Sequence, residues 1–308
     1  MFDTLAAAAG PVYMFPGQGS QTPDMEERVR RWAPELADRA ETILGRSIFG
    51  SADTRVLQPA IYCGSIAGYR RATIRFGTEK PAAIVGHSLG EVAALAAAGV
   101  FSAEAGLDLV IARGESMYAG AQQNPGGGMM AVLGCKVDLV SAVADRLCIT
   151  VATDNAPGEM VLAGRGAALA TAAAEIMDAG GKAVTLPIEG AFHSPEMNSV
   201  RAVFESSVRA AVTDHPRCPV YSSHTTRPFD DIADGLGASL VGSVRWRETL
   251  LHLNERGYED FVDCGPGHVL SKLVRRNLAR PALALDDLDD DELISDSTLD
   301  THKVGARS

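Results

Sequence analysis

Residues 81–99 read "PAAIVGHSLGEVAALAAAG". The apolar run Ala82 to Val85 has the length of a buried strand, and the alanine-rich stretch beyond Gly90 favours a helix. Between them lies Gly86-His87-Ser88-Leu89-Gly90. Gly-x-Ser-x-Gly with a strand before it and a helix after it is the pattern of a nucleophile elbow, a sharp turn that lifts a serine hydroxyl above the sheet edge. The turn is too tight for larger neighbours, which is why glycine flanks it. The helix that follows aims its first amides at negative charge developing on a bound group. A serine that only caps a helix produces the same local pattern. The rest of the chain has to decide between the two.

Outward from this stretch, helical and extended segments alternate. "PVYMF" (11–15) reads as a strand entering the glycine turn "PGQGSQ". An amphipathic helix is expected over 24–43, a second near 59–76, and a third at "SAEAGLDLVIARGESMYAGA", with Ser102 as its cap and Glu104 in its first turn. Such alternation points to parallel α/β layering. The middle of the chain then changes order. Strand 126–134, helix 138–147, strands in "CITVATDN" and "EMVLAG", a helix in "AALATAAAEIMDAG" and a strand in "KAVTLPI" spell β-α-β-β-α-β. This is the split βαβ of a ferredoxin-like unit. Strand "CPVYSS", a helix around Trp246–Asn254, strand "DFVDCG" and helix "HVLSKLVRRNL" then resume the α/β pattern. The expected architecture is an α/β-hydrolase-like large subdomain with a parallel sheet (1–125 and 190–285) and an inserted ferredoxin-like small subdomain (126–189). Gly126–Gly128 would form the hinge between them.

A chain of 308 residues, 46% hydrophobic, has ample material for a core. No charge-free apolar run approaches the roughly 20 residues of a spanning helix. The first residues carry an acid at Asp3 and no basic segment, unlike a secretory signal. Five dispersed cysteines without a CxxC argue against a disulfide framework or a zinc site, and a reducing cytoplasm is expected. The net charge of −11 disfavours nucleic acid as a partner. Of this, −6 falls in residues 286–308, where eight acids face Lys303 and Arg307. That tail is expected to be a solvated, disordered appendage. A monomer is expected, since no large apolar face is left unexplained.

A nucleophilic serine needs a base. Of the seven histidines, His87 is the neighbour of Ser88 and points away from its hydroxyl, and His302 lies in the tail. His252 and His268 fall on or beside helices and read as structural, while His215 and His224 lie in polar stretches. His193, in "EGAFHSPEM", follows the last strand of the small unit, at the seam where a cleft would form. It is the leading candidate.

Nine segments in order carry a resemblance: "FPGQGSQ" (15–21), "LQPAI" (57–61), "GHSLGE" (86–91), "ARGESM" (112–117), "GGGMMAVLG" (126–134), "NAPGEMVLAG" (155–164), "GAFHS" (190–194), "VRW" (244–246) and "DCGPGHVLSKL" (263–273). The set resembles malonyl-CoA:acyl-carrier-protein transacylases and the acyltransferase domains of polyketide and fatty-acid synthases, over about residues 11–280. The resemblance implies a ping-pong transfer. Ser88 takes a malonyl group from CoA, with His193 handling the proton, and passes it to the phosphopantetheine thiol of an acyl carrier protein. No bound cofactor is implied, because malonyl-CoA is a substrate and the phosphopantetheine belongs to the partner. The oxyanion hole would use the amides of Leu89 and Gln18. In that reading the glycines of the "PGQGS" turn let the backbone approach so that Gln18 presents its amide toward the elbow; a phosphate-binding loop fits neither the dinucleotide nor the P-loop spacing.

Further assignments follow from the same resemblance. Arg113, in an otherwise apolar helix, would clamp the free carboxylate of the malonyl group, in place of a structural pair with Glu91 or Glu115. Phe192 would fill the space of an α-methyl and so favour malonyl over methylmalonyl. Gln58, Asn155 and His87 fall at positions lining such a site. Lys272, Arg275 and Arg276 form a basic cluster suited to an acidic carrier protein, or simply a solvated helix face. Two positions depart from the family pattern. Gly242 stands where an asparagine near the histidine-orienting carbonyl is usual, and Glu159 replaces a usual glutamine. No buried acid is evident as a third triad member. The segment between "FPGQGSQ" and "LQPAI" is shorter than in housekeeping members, in keeping with a stand-alone polyketide acyltransferase. Three other functions compete: a hydrolase clearing stalled acyl groups from carrier proteins, a transferase of an unusual acyl group between carriers, and a non-catalytic docking module. Arg113 argues against the first. Ser88, His193 and Gln18 together argue against the last.

Overall fold

The computed structural model describes residues 10–77 and 81–290. In chain order they form β1 (Val12–Phe15), α1 (Met25–Trp32), α2 (Pro34–Leu44), α3 (Thr54–Phe76), β2 (Ala83–Gly86), α4 (Gly90–Ala97), α5 (Ala103–Gln123) and β3 (Gly127–Leu133). There follow α6 (Val137–Leu147), β4 (Thr150–Ala156), β5 (Glu159–Arg165), α7 (Gly166–Asp178), β6 (Lys182–Glu189) and α8 (Asn198–Ala211). The chain closes with β7 (Val220–Tyr221), α9 (Ile232–Val241), α10 (Trp246–Glu255), β8 (Phe261–Asp263), α11 (Val269–Leu278) and β9 (Leu283–Ala284).

Two sheets organise these elements. A five-stranded sheet has the order β7-β2-β1-β8-β9, and its strand pairs are all parallel. Strands β1 and β2 are apolar throughout because helices cover both faces. Successive side chains alternate between two cores. Tyr13, Phe15 and Ile84 join the core beneath α3, α4 and α5, while Val12, Met14, Ala83 and Val85 join Trp246, Leu250 and Leu270 of α10 and α11 on the other side. The second sheet, β4-β5-β3-β6, is antiparallel and follows the expected β-α-β-β-α-β order. Its own core sets Met130, Val132, Met160 and Leu162 against Val140, Leu169, Ala172 and Ile176 of α6 and α7. Mixed α/β layering with a parallel sheet and a ferredoxin-like insertion is thus what the sequence pattern implied.

The link between the sheets bears on the site. The segment after α9 runs back along β4. Val244 N donates to Ala152 O (2.8 Å), Asp154 N donates to Val244 O (2.9 Å), and Ser243 Oγ donates to Val151 O (2.5 Å). Arg247 adds an ion pair to Asp154 (2.7 Å). The small sheet is therefore tied to the large one directly beside the seam that carries His193.

Three expectations need correction. The helix expected over 24–43 is two helices, because Pro34 lacks the N–H that would continue the first one and instead opens the second. The helix expected near 59–76 begins at Thr54, with Asp53 accepting from the Arg55 amide as its cap, and Pro59 is carried inside it. The tail is not a free appendage from residue 286 onward. Asp286 pairs with Arg28, and Asp290 pairs with the buried Arg71 (2.7 Å) and accepts from Trp32 Nε1 (2.7 Å). An unpaired buried guanidinium is costly, and here these carboxylates pair with Arg71. The rest of that expectation, residues 291–308, lies outside the described residues, as does the acidic start of the chain.

Candidate active site

Ser88 sits between β2 and α4 with φ of 54°, in the left-handed region that side chains rarely enter. The strain is held in place by close packing. A Cβ on Gly86 would run into the Glu91 amide and the Gly90 carbonyl carbon, and one on Gly90 would run into Phe15 O at the end of β1. Both glycines are thus spacers that let α4 start hard against the sheet. The serine hydroxyl does not cap α4: Glu91 N donates to the Ser88 carbonyl (3.0 Å), while the hydroxyl faces the cleft.

That hydroxyl lies 2.7 Å from His193 Nε2. His193 also has positive φ, 58°, just after β6 has returned the chain to the large sheet. Its Nδ1 lies 2.7 Å from Ser239 O and 3.3 Å from Gly242 O, both at the C-terminal end of α9. Carbonyls only accept, so Nδ1 carries the proton and Nε2 is left to accept from Ser88. Burial, and then the nearby Arg113 cation, push this imidazole down to about 3. It is neutral at physiological pH, as a base must be. A carbonyl was expected near Gly242. The shorter contact is to Ser239, which the sequence reading did not single out, since a backbone acceptor leaves no side-chain signature.

Arg113, on α5, is 3% exposed. Its Nη1 donates to Gln58 Oε1 (2.8 Å) and its Nη2 to Ser88 Oγ (3.1 Å). Among the described residues it has no carboxylate within ion-pair distance. Glu115 does not pair with it, and Glu91 Oε1 is occupied by Ser222 and Ser223. Burial pushes the guanidinium down to about 10, against the pull of Glu91, and it stays positive at neutral pH. Gln58, expected to line the site, is instead wholly buried beneath it. It accepts from Arg113 and donates to Met117 Sδ (3.3 Å), and so fixes where the cation points.

Gln18, Leu89, Phe192, His87 and Asn155 join Ser88, His193 and Arg113 around a cavity of about 130 Å³. Met117, Met129, Thr153, Val161, Leu186 and Ile188 complete its wall and were not anticipated, because nothing in their local sequence marks them as facing a cleft. The Gln18 side chain donates to Thr54 Oγ1 (3.2 Å), and no hydrogen bond within the chain engages the Gln18 or Leu89 amide among the described residues. A wider, largely apolar cavity of about 780 Å³ adjoins it through Gln18, Leu186 and Ile188, and extends along the short segment 48–52.

His87 diverges from Ser88 as expected. Its ring tilts against Trp246 (centroids 5.3 Å apart), and Nε2 meets Asn155 Oδ1 at 2.9 Å. Asn155 continues to Glu159 (3.4 Å), and Glu159 forms an ion pair with Arg276. This accounts for the acid that had no rationale in the sequence. Within the basic cluster, Lys272, Arg275 and Arg276 are all exposed on α11, and Arg276 is in addition bonded to Glu159 and Pro157 O. His268 is paired with Asp287 (2.7 Å) and stands apart from the chemistry.

A serine on an elbow, a neutral imidazole behind it, free amides beside it and a positive side chain in the pocket define a serine acyl-transfer centre on an α/β scaffold. Comparison with known proteins agrees. The chain belongs to the acyl transferase domain family, whose model matches residues 12–301. It is 36% identical over 285 residues to the polyketide biosynthesis protein ThaF of Burkholderia thailandensis, covering 88% of this chain and 24% of that one. It is 34% identical over 280 residues to the polyketide biosynthesis malonyl CoA-acyl carrier protein transacylase PksC of Bacillus subtilis, covering 86% of this chain and 96% of that one. Among solved structures, the PlMCAT:AntF complex, a type II PKS acyl-carrier protein with its malonyl-transacylase, superposes with a TM-score of 0.83 at 26% identity, covering 93% of this chain and 98% of that one. The chain thus spans about a quarter of ThaF and nearly all of PksC.

Proposed function

We propose that this protein transfers a malonyl group from CoA to the phosphopantetheine thiol of an acyl carrier protein, in polyketide biosynthesis. One observation carries the choice of acyl group. A fully buried arginine points at the nucleophile, 3.1 Å from Ser88 Oγ, and has no carboxylate within ion-pair distance among the described residues. A buried cation without an anion is costly. The distal carboxylate of a malonyl ester on Ser88 supplies that anion. An acetyl group would leave the cation unpaired, and water attack on assorted acyl chains gives it no role. The names of the relatives support the malonyl substrate, the carrier partner and the polyketide setting.

In this reading Ser88 Oγ attacks the thioester carbonyl as its proton passes to His193 Nε2. The carbonyl oxygen becomes an oxyanion facing the amides of Gln18 and Leu89. The intermediate collapses, the carbon–sulfur bond breaks, and His193 returns the proton to the departing CoA sulfur. The carrier thiol then runs the sequence in reverse, giving its proton to His193 and taking the malonyl group. The 130 Å³ pocket suits a short acyl group, and the wider cavity beside Gln18 leaves room for the pantetheine arm. Phe192 limits branching beside the ester, and exposed Lys272 and Arg275 offer positive charge to an acidic carrier. The protein's place of work is the cytoplasm, where CoA thioesters and carrier proteins meet.

The test uses radiolabelled malonyl-, methylmalonyl- and acetyl-CoA, with and without a holo carrier protein. Malonyl label on Ser88 that moves to the carrier is the expected result. Absence of a malonyl adduct, or release of free malonate in preference to transfer, overturns the reading.

A further inference from the structure

The family pattern places an asparagine where this chain has Gly242, and the structure shows what fills the space. A Cβ built on Gly242 would collide with Cε1 of the His224 ring and lie 2.6 Å from its Nδ1 and 2.9 Å from its Nε2. The imidazole therefore rests on the glycine's α-carbon, and any side chain at 242 excludes it. The ring is also bonded there. Its Nδ1 lies 3.0 Å from Ser243 O, which only accepts, so Nδ1 donates. The Gly242 carbonyl, one peptide earlier, accepts from His193 Nδ1. His224 thus touches both residues of the segment that helps orient the base.

At its other end His224 is anchored to the elbow. Its amide donates to Ser222 Oγ (3.1 Å). Ser222 Oγ and the Ser223 hydroxyl and amide converge on Glu91 Oε1 (3.2, 3.0 and 2.8 Å). Glu91 is fully buried in the first turn of α4, directly after the nucleophile's turn. A continuous path runs from α4 through Glu91, the 222–224 turn and the His224 ring to the 242–243 peptides, and from there to His193. His224 does not line the catalytic cavity.

We infer that His224 and Gly242 are a matched pair in which His224 is a positioning residue for His193. The ring takes over the space and the anchoring left open by a missing side chain at 242, and holds the 242–243 peptides, whose Gly242 carbonyl is the second acceptor on His193 Nδ1 (3.3 Å) beside Ser239 O. This rests on His193 being the base of the proposed transfer. Groups that orient a reacting imidazole commonly carry about tenfold or more in rate without touching the substrate.

The experiment compares His224→Ala, His224→Asn, Gly242→Asn and the double variant His224→Ala/Gly242→Asn in malonyl transfer to a holo carrier protein. It measures kcat, KM for malonyl-CoA, the acid limb of the pH profile and thermal stability. His224→Ala is expected to lose about tenfold in kcat at nearly unchanged KM, with a displaced acid limb. His224→Asn, which keeps a donor near the Nδ1 position, should recover most of the loss. Gly242→Asn alone should fail, in folding or in rate, and the double variant should outperform it. Wild-type kcat and pH profile in His224→Ala, or a loss confined to thermal stability, overturns the inference, as does a double variant no better than Gly242→Asn. His193→Ala is run alongside. If it still transfers malonyl, the reading of the base has failed. If it is dead while His224→Ala is silent, only the pairing has failed.

Discussion

Ser88 and His193 face each other at 2.7 Å, both at positive φ, yet they are held in place by opposite means. Ser88 is fixed by its own neighbourhood. Gly86, Gly90 and the first turn of α4 meet within a few residues of it, backbone against backbone, and Phe15 at the end of β1 closes on Gly90 from the neighbouring strand. His193 is fixed from afar. Its ring hangs on carbonyls 46 and 49 residues away, at an element end that is itself tied to β4 of the other sheet. A nucleophile must stand in one strained geometry, and short-range steric packing is the stiffest way to impose it. The base belongs to the seam between two sheets, where only long-range contacts are to hand.

The contrast can be broken from either side. Ser88→Ala should remove the largest amount, roughly 10⁴-fold or more in transfer, while leaving the elbow and the melting temperature intact. Intact-mass analysis after malonyl-CoA should show no adduct. Gly86→Ala should do the reverse, with the hydroxyl retained and the support destroyed. Its methyl meets backbone that cannot give way. A stability loss of roughly 3 kcal/mol or more, read from urea unfolding, is expected. Arg113→Ala should lower malonyl transfer by roughly 10²–10³-fold and improve acetyl relative to malonyl, in competition assays with both CoA esters. Equal malonyl rates would remove the clamp.

The same variant sharpens the base side. His193 serves only when neutral, and its imidazole is held at about 3. Malonyl transfer should therefore persist well below the ordinary histidine value of about 6.5. Arg113 is the second cause of that depression, so removing it raises the imidazole's pKa and moves the acid limb of kcat/KM to higher pH. An unmoved limb would mean that burial alone sets it. The smallest effect is expected at Phe192. Phe192→Ser should shift preference toward methylmalonyl-CoA by about tenfold, since one methyl group discriminates by only about 1–3 kcal/mol.

What was legible in the sequence follows the same divide. The elbow could be read because its determinants are contiguous and its flanks have clear periodicity. The ferredoxin-like order could be read because each strand and helix there spans a full, regular segment. His193 stood out only by its place at the seam and by resemblance. A supporting carbonyl near Gly242 was legible only through the resemblance, and Ser239 was not, because both act through carbonyls that every residue possesses. The Glu159–Arg276 pair joins residues 117 apart, so each looked anomalous or available when taken alone. The break at Pro34 was legible in principle, since proline inside a charged amphipathic run marks a boundary.

Arg113 has a consequence for the protein between turnovers. The free enzyme keeps a positive charge in a closed pocket with an amide and a hydroxyl for company. On the proposed reading, malonylation of Ser88 would supply the missing anion and favour the acylated form over the free one. The resting state would then be a loaded one. Such a protein behaves as a small store of activated extender units, filled according to the ratio of malonyl-CoA to free CoA and drawn down by each carrier that docks. Its occupancy would carry the supply of building blocks to the assembly line one step before any chain is extended.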